Sequence, residues 1–201
     1  MDPTTALQRP GLEPRLRLLL LAIAAIGPAD WPAFAAAAAA ARVHAARADV
    51  EETLLQATLF FGFPRVVTAF EQLEELWPAA APPAGGDVPA AERGARGRVL
   101  FAAIYGRNDA AVRQRLLSYH RAFHDFVLES AYGRILSRPG LPARVRELLA
   151  VTALTVLDQV PQLVAHARGA LAFGADRTAV REAIWCGRRD EAAADELLRR
   201  V

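Results

Sequence analysis

Four histidines, one cysteine and two tyrosine–glycine pairs are the residues of this 201-residue chain whose types could do chemistry. His166 stands inside an apolar, helix-like run, VPQLVAHARGALAFGA, residues 160–175. An imidazole gives or takes a proton near neutral pH. On an apolar face it is equally a core residue bonded to a buried carbonyl. Arg168 lies two positions on, and a guanidinium holds carboxylates through paired hydrogen bonds. Residues two apart do not share a helix face, so one pocket using both needs groups from other helices. His120 and His124, in SYHRAFHD, have the four-residue spacing of one helix face. That spacing can bind zinc, but no third ligand stands at a characteristic distance, and no metal is expected. His44 reads as a helix-end residue. Cys186 is alone, which excludes an intrachain disulfide, a CxxC pair and an all-cysteine metal site. Tyr105 and Tyr132 each precede a glycine and read as helix-end packing.

The elements that must position these residues are helical. Hydrophobic residues make up 53% of the chain, alanine is abundant, and strand signals are nearly absent. The formal charge is +2 with a pI near 9.2. The arginines come in short scattered runs, so nucleic acid is not an expected partner. The apolar run LLLLAIAAI, residues 18–26, follows Arg15 and Arg17 like a short signal sequence. It is too short to span a membrane and is followed by Pro28, Asp30 and Pro32.

An internal repeat decides how that run is read. Residues 9–24, RPGLEPRLRLLLLAIA, match residues 138–153, RPGLPARVRELLAVTA, at a spacing of 129. With one inserted residue, Arg47, Val50 and Glu52 match Arg177, Val180 and Glu182. The first apolar run is therefore a core helix whose twin lies in mid-chain, and a cytoplasmic protein is expected. Each copy predicts a PGL turn and a helix (residues 12–26 and 141–157), then a second helix (33–46 and 161–173). A third helix begins near Asp49 or Thr178, with Thr178 as its N-cap. Gly174 is expected to cap the second helix of the second copy. The first copy continues through a turn at GFP into another helix. The organisation expected is a first copy over residues 1–77 and a Pro/Ala/Gly-rich linker without regular structure over 78–97. A second, C-terminally shortened copy follows over 98–201, the two copies packing as one unit.

The segments YGRILSRPGLPARVRELLAVTAL, LVAHARGALAFGA and VREAI resemble the carboxymuconolactone decarboxylase family, which includes AhpD-like alkylhydroperoxidases. VEETLLQATLFFGFPRVVTAF of the first copy is similar to that family's last helices. The resemblance implies an all-α, AhpD-like helical bundle, here with an internal duplication, and assembly into dimers or higher homo-oligomers. The family's peroxidase branch carries a glutamate and then CxxCxxxH. Its histidine matches His166 and its glutamate Glu147, while the cysteines fall at Gln159 and Gln162 and a second histidine at Pro161. In the first copy the glutamate and histidine positions are Leu18 and Ala37.

What the resemblance implies about activity is therefore selective. Thiol peroxidase chemistry needs an attacking and a resolving thiol, and both are missing. A cofactor-free lyase acting on a small carboxylate or lactone asks only for a proton donor and a group that orients the carboxylate. Glu147, His166, Tyr132 and Arg168 are the candidate catalytic residues, with Arg138 a further possible contributor and Glu147 orienting the imidazole or acting as an acid. No cofactor is expected, and a small carboxylate is the expected ligand. The alternative is a catalytically inactive, self-associating helical scaffold.

Overall fold

Among the described residues, proline at the first or second helical position opens four of the helices, where its missing N–H costs nothing. The computed structural model describes residues 3–80 and 86–201. Among them no strand occurs, and the chain runs α1 (Pro3–Leu7), α2 (Pro14–Ile26), α3 (Trp31–His44), α4 (Arg47–Leu76), α5 (Ala90–Tyr105), α6 (Asp109–Tyr119) and α7 (Arg121–Phe126). A π-helical segment, Val127–Leu136, follows, then α8 (Ala143–Val156), α9 (Val160–Ala172), α10 (Arg177–Arg188) and α11 (Glu191–Arg199). The all-α class is as the sequence implies.

Two helices form the centre. Every residue of α2 from Leu16 to Ile26 is buried, and so is every residue of α8 from Val145 to Thr155. A helix apolar all round has no solvent face to offer and must be enclosed. The run LLLLAIAAI is thus core. α3 and α4 pack on α2, and α9 and α10 pack on α8. The GFP turn is real: α4 breaks at Gly62, where φ is +75°. By length and composition α4 is also apolar enough to cross a membrane, with a third of its most apolar stretch buried.

Each central helix is ion-paired to a helix that packs on the other. Arg17 of α2, fully enclosed, donates to Glu182 of α10 at 2.7 Å, and Arg9 reaches the same carboxylate at 2.7 Å. Arg146 of α8 donates to Glu52 of α4 at 2.6 Å, joined by Arg138 at 2.8 Å. Arg17 also donates to the carbonyls of Arg9 and Pro10, as Arg146 does to those of Arg138 and Pro139. Burial pushes the Glu182 carboxyl up, but Arg9 and Arg17 outweigh it and hold it below the usual carboxylate range. Glu52 is lowered in the same way by Arg138 and Arg146.

Three expectations are corrected. Residues 90–97 of the expected linker are helix, the first half of α5; residues 81–85 lie outside the described residues. Gly97 in this helix serves packing. A Cβ on Gly97 would lie 1.8 Å from the Leu128 carbonyl oxygen, and one on Gly133 would lie 2.0 Å from that of Arg93. Only glycine lets α5 and the π-helical segment approach so closely. Second, His120 and His124 do not share a helix face. The chain is extended at His120 (φ −170°), whose Nδ1 accepts from the Ala122 N–H as the cap of α7. Third, the N-cap of α10 is Asp176, accepting from Ala179 N–H at 2.7 Å, two residues ahead of Thr178. The carboxylate outcompetes the hydroxyl because it is the better acceptor and complements the helix dipole.

Candidate active site

α8 and α9 lie side by side and bring Glu147 and His166 together from opposite helices. The Glu147 Oε2 to His166 Nδ1 distance is 2.9 Å, with Glu147 1% and His166 5% exposed. Gly169, one turn after His166, makes room for the carboxylate: a Cβ there would lie 2.6 Å from Glu147 Oε2 and 3.2 Å from Ile104. A buried carboxylate against Nδ1 fixes the ring orientation and leaves Nε2 for chemistry.

Nε2 faces Tyr132. The phenol oxygen is 3.4 Å away, at the long end of a hydrogen bond, and the rings lie nearly parallel at 18°. Tyr132 sits inside the π-helical segment, a local unwinding that recurs at functional sites. Its hydroxyl in turn donates to that of Tyr105 at the end of α5, at 3.3 Å. Phe101 stacks on Tyr105 at 4.2 Å and meets Tyr132 edge-on at 4.7 Å, holding both rings. Glu147, His166, Tyr132 and Tyr105 thus form one line of hydrogen-bonding groups. Burial first, then the neighbouring Tyr105 and Glu147, push the Tyr132 phenol well above its usual range. Burial also raises Tyr105. Both phenols therefore keep their proton and can pass one along by giving and accepting together.

Three of the four candidate residues meet; Arg168 does not. It is exposed on a neighbouring stripe of α9 and donates to the backbone carbonyls of Val201 and Arg200 at 3.3 and 3.4 Å. Arg138 is committed to Glu52, away from the site. The helix-end reading holds for Tyr105, the last residue of α5, but not for Tyr132, which lies inside the π-helical segment. Tyr105 was missed as a site residue, although the tripeptide YGR occurs at both 105–107 and 132–134 and marks the pair. The positions matching the family's cysteines, Gln159 and Gln162, are exposed at the start of α9. The counterpart positions of the pair, Leu18 and Ala37, are closed into the apolar core. Cys186 is fully enclosed, and burial pushes its thiol up to about 12. No group of three or more metal-ligating side chains occurs among the described residues.

A cleft of about 310 Å³ opens beside the tyrosine end of this line. Its walls include Tyr105 of α5, Asn108, Arg115 of α6, and Pro161, Val164 and Arg168 of α9. A second, mostly apolar cleft of about 340 Å³ lies between α4 and the π-helical segment, under Phe63 and Phe126.

Residues 122–195, which carry Tyr132, Glu147, His166 and Arg168, match the model of the carboxymuconolactone decarboxylase family. It is 28% identical over 140 residues to Peroxisomal protein 2 of Schizosaccharomyces pombe, covering 67% of this chain and 64% of that protein. It is 30% identical over 71 residues to the 4-carboxymuconolactone decarboxylase of Acinetobacter baylyi, covering 35% of this chain and 53% of that protein. The chain thus matches less than two thirds of the length of either relative.

Proposed function

We propose that the protein is a cofactor-free lyase that decarboxylates a small carboxylated substrate, with Glu147, His166 and Tyr132 moving the proton. The observation that carries this reading is the buried contact of Glu147 with His166, continued by Tyr132. Loss of carbon dioxide breaks a carbon–carbon bond and leaves its electron pair on carbon, stabilised by an adjacent carbonyl such as a lactone. One proton must then reach that carbon. With the proton on Nε2, His166 donates to Tyr132, which donates onward, and Glu147 stabilises the imidazolium as it forms again from solvent. The printed name of the Acinetobacter baylyi relative supports this reaction class.

The test uses the full chain with 4-carboxymuconolactone as the probe, following carbon dioxide release. His166→Ala should reduce turnover by about 10²–10⁴-fold, the usual worth of a positioned acid or base. Wild-type protein without turnover, together with a His166→Ala variant that only melts earlier, would favour a structural pair.

Self-association also belongs to this proposal. Phe63, Val67, Phe123 and Phe126 are 76%, 53%, 49% and 60% exposed, an uncommon cost for a lone chain and one that a second copy would relieve. The crossed pairs Arg17–Glu182 and Arg146–Glu52 support the further reading that the chain is a duplicated unit with one site. Light scattering giving only monomer at all concentrations would count against assembly.

A further inference from the structure

We infer that the ligand enters through the cleft walled by α5, α6 and α9, that Arg115 and Arg168 hold its carboxylate there, and that Tyr105 hands over the proton. This rests on the proposed lyase reading and adds its entrance, its anion site and its terminal donor.

The cleft's charge is one-sided. Arg115 and Arg168 line it, and no carboxylate does. The nearest acidic residue on α6, Asp109, is taken by Arg113 through two hydrogen bonds of 2.9 and 2.6 Å. Among the described residues the Arg115 guanidinium has no hydrogen-bond or ion-pair partner. Arg168 uses two of its N–H groups on backbone carbonyls at long distance and keeps the others. Guanidinium groups without an acidic side-chain partner, facing one concave site, are the arrangement that takes a planar anion. The remaining walls are apolar, from Val112, Pro161, Val164 and Ala165, with the Asn108 amide at the edge. A small carboxylate with an apolar body fits these surfaces.

The cleft also explains why the line of groups continues past Tyr132. His166 and Tyr132 are 5% exposed each, and neither lines the cleft. Tyr105 does, and its hydroxyl accepts from Tyr132. Pro161, Val164, Ala165 and Arg168 form one stripe of α9, beside the stripe that carries Gln162 and His166. A ligand in the cleft is therefore met by Tyr105 and not by the imidazole. As carbon dioxide departs, the Tyr105 O–H bond breaks and its proton goes to the carbanion. The phenolate regains a proton from Tyr132, which takes one from His166 Nε2. The net change is uptake of one proton and release of one carbon dioxide.

Binding and turnover are measured separately on the full chain. Benzoate is the anionic probe and benzamide its neutral counterpart, followed by calorimetric titration; 4-carboxymuconolactone reports turnover. Benzoate should bind and benzamide should not. Arg115→Gln and Arg168→Gln should each weaken benzoate about tenfold without changing the melting temperature, because both side chains are exposed. Tyr105→Phe should leave benzoate binding intact and cut turnover at least a hundredfold. Benzoate binding unchanged in the double arginine variant, or equal binding of benzamide, would overturn the anion site. Turnover lost in His166→Ala but retained in Tyr105→Phe would uphold the lyase reading and overturn Tyr105 as the donor. If no turnover is found, the binding arm still decides the anion site.

Discussion

The Glu147 carboxylate meets Nδ1 of His166 at 2.9 Å across the α8–α9 contact, and both side chains are sealed from solvent. The first prediction isolates the charge of this contact. Glu147→Gln keeps an oxygen acceptor of the same size but cannot stabilise an imidazolium. Turnover should fall about 10–100-fold, while the melting temperature moves by only a few degrees. Parallel kinetics and thermal denaturation check this. A variant that melts far earlier yet turns over normally would assign the contact to folding alone.

The second prediction concerns the space that Gly169 leaves. A Cβ there would lie 2.6 Å from Glu147 Oε2, with Ile104 behind it at 3.2 Å. Gly169→Ala should push the carboxylate off His166 and destabilise the fold by about 1–3 kcal/mol through overpacking. The helix propensity gain of alanine, about 1 kcal/mol, opposes this and sets the lower end. Urea denaturation gives the value.

The third prediction is a loss of stability in acid. Glu52 and Glu182 are both held below the usual carboxylate range by their arginine pairs. Their contribution is fully present above about pH 4.3, the unfolded value, and disappears as the pH falls through their lowered folded values. Stability measured by denaturant between pH 7 and pH 2 should therefore drop in the acid region. Glu182→Gln should remove much of that dependence. It should also cost about 3–5 kcal/mol at neutral pH, because Arg17 is left enclosed without its counter-ion.

The fourth prediction concerns the single thiol. Cys186 is enclosed, and its thiol is pushed up to about 12, away from the thiolate that attacks peroxides. Native protein should not react with a thiol-specific disulfide reagent and should react once unfolded. Consumption of an organic hydroperoxide with a dithiol reductant should stay at background, and Cys186→Ser should change nothing.

The legible part of the fold was the part written in periodicity and proline. α2, α3, α8 and α9 begin and end within about two residues of where prolines and apolar runs put them. Less legible was anything decided by one partner's approach to another. Gly97 read as a linker residue because glycine and alanine in sequence look flexible; its packing role depends on the π-helical segment that meets it. The break at His120 was hidden because its imidazole caps the next helix while keeping helical spacing to His124. In the site, Glu147 and His166 were visible through family resemblance. Tyr105 was not, because its partner stands 27 residues away on another helix and only the fold brings the two phenols together.

The crossed pairing of Arg17 with Glu182 and Arg146 with Glu52 makes each half of the chain the counter-ion store of the other. A fragment ending after α4 would hold Arg17 and Glu52 with neither counter-ion present, and a fragment starting at α5 would hold Arg146 without Glu52 and Glu182 with Arg181 alone. Expressed alone, either piece should be insoluble or degraded. Expressed together, they should reassemble without a peptide bond between them. The protein would work as a complementation pair, with the proton-transfer line restored only when both fragments are present.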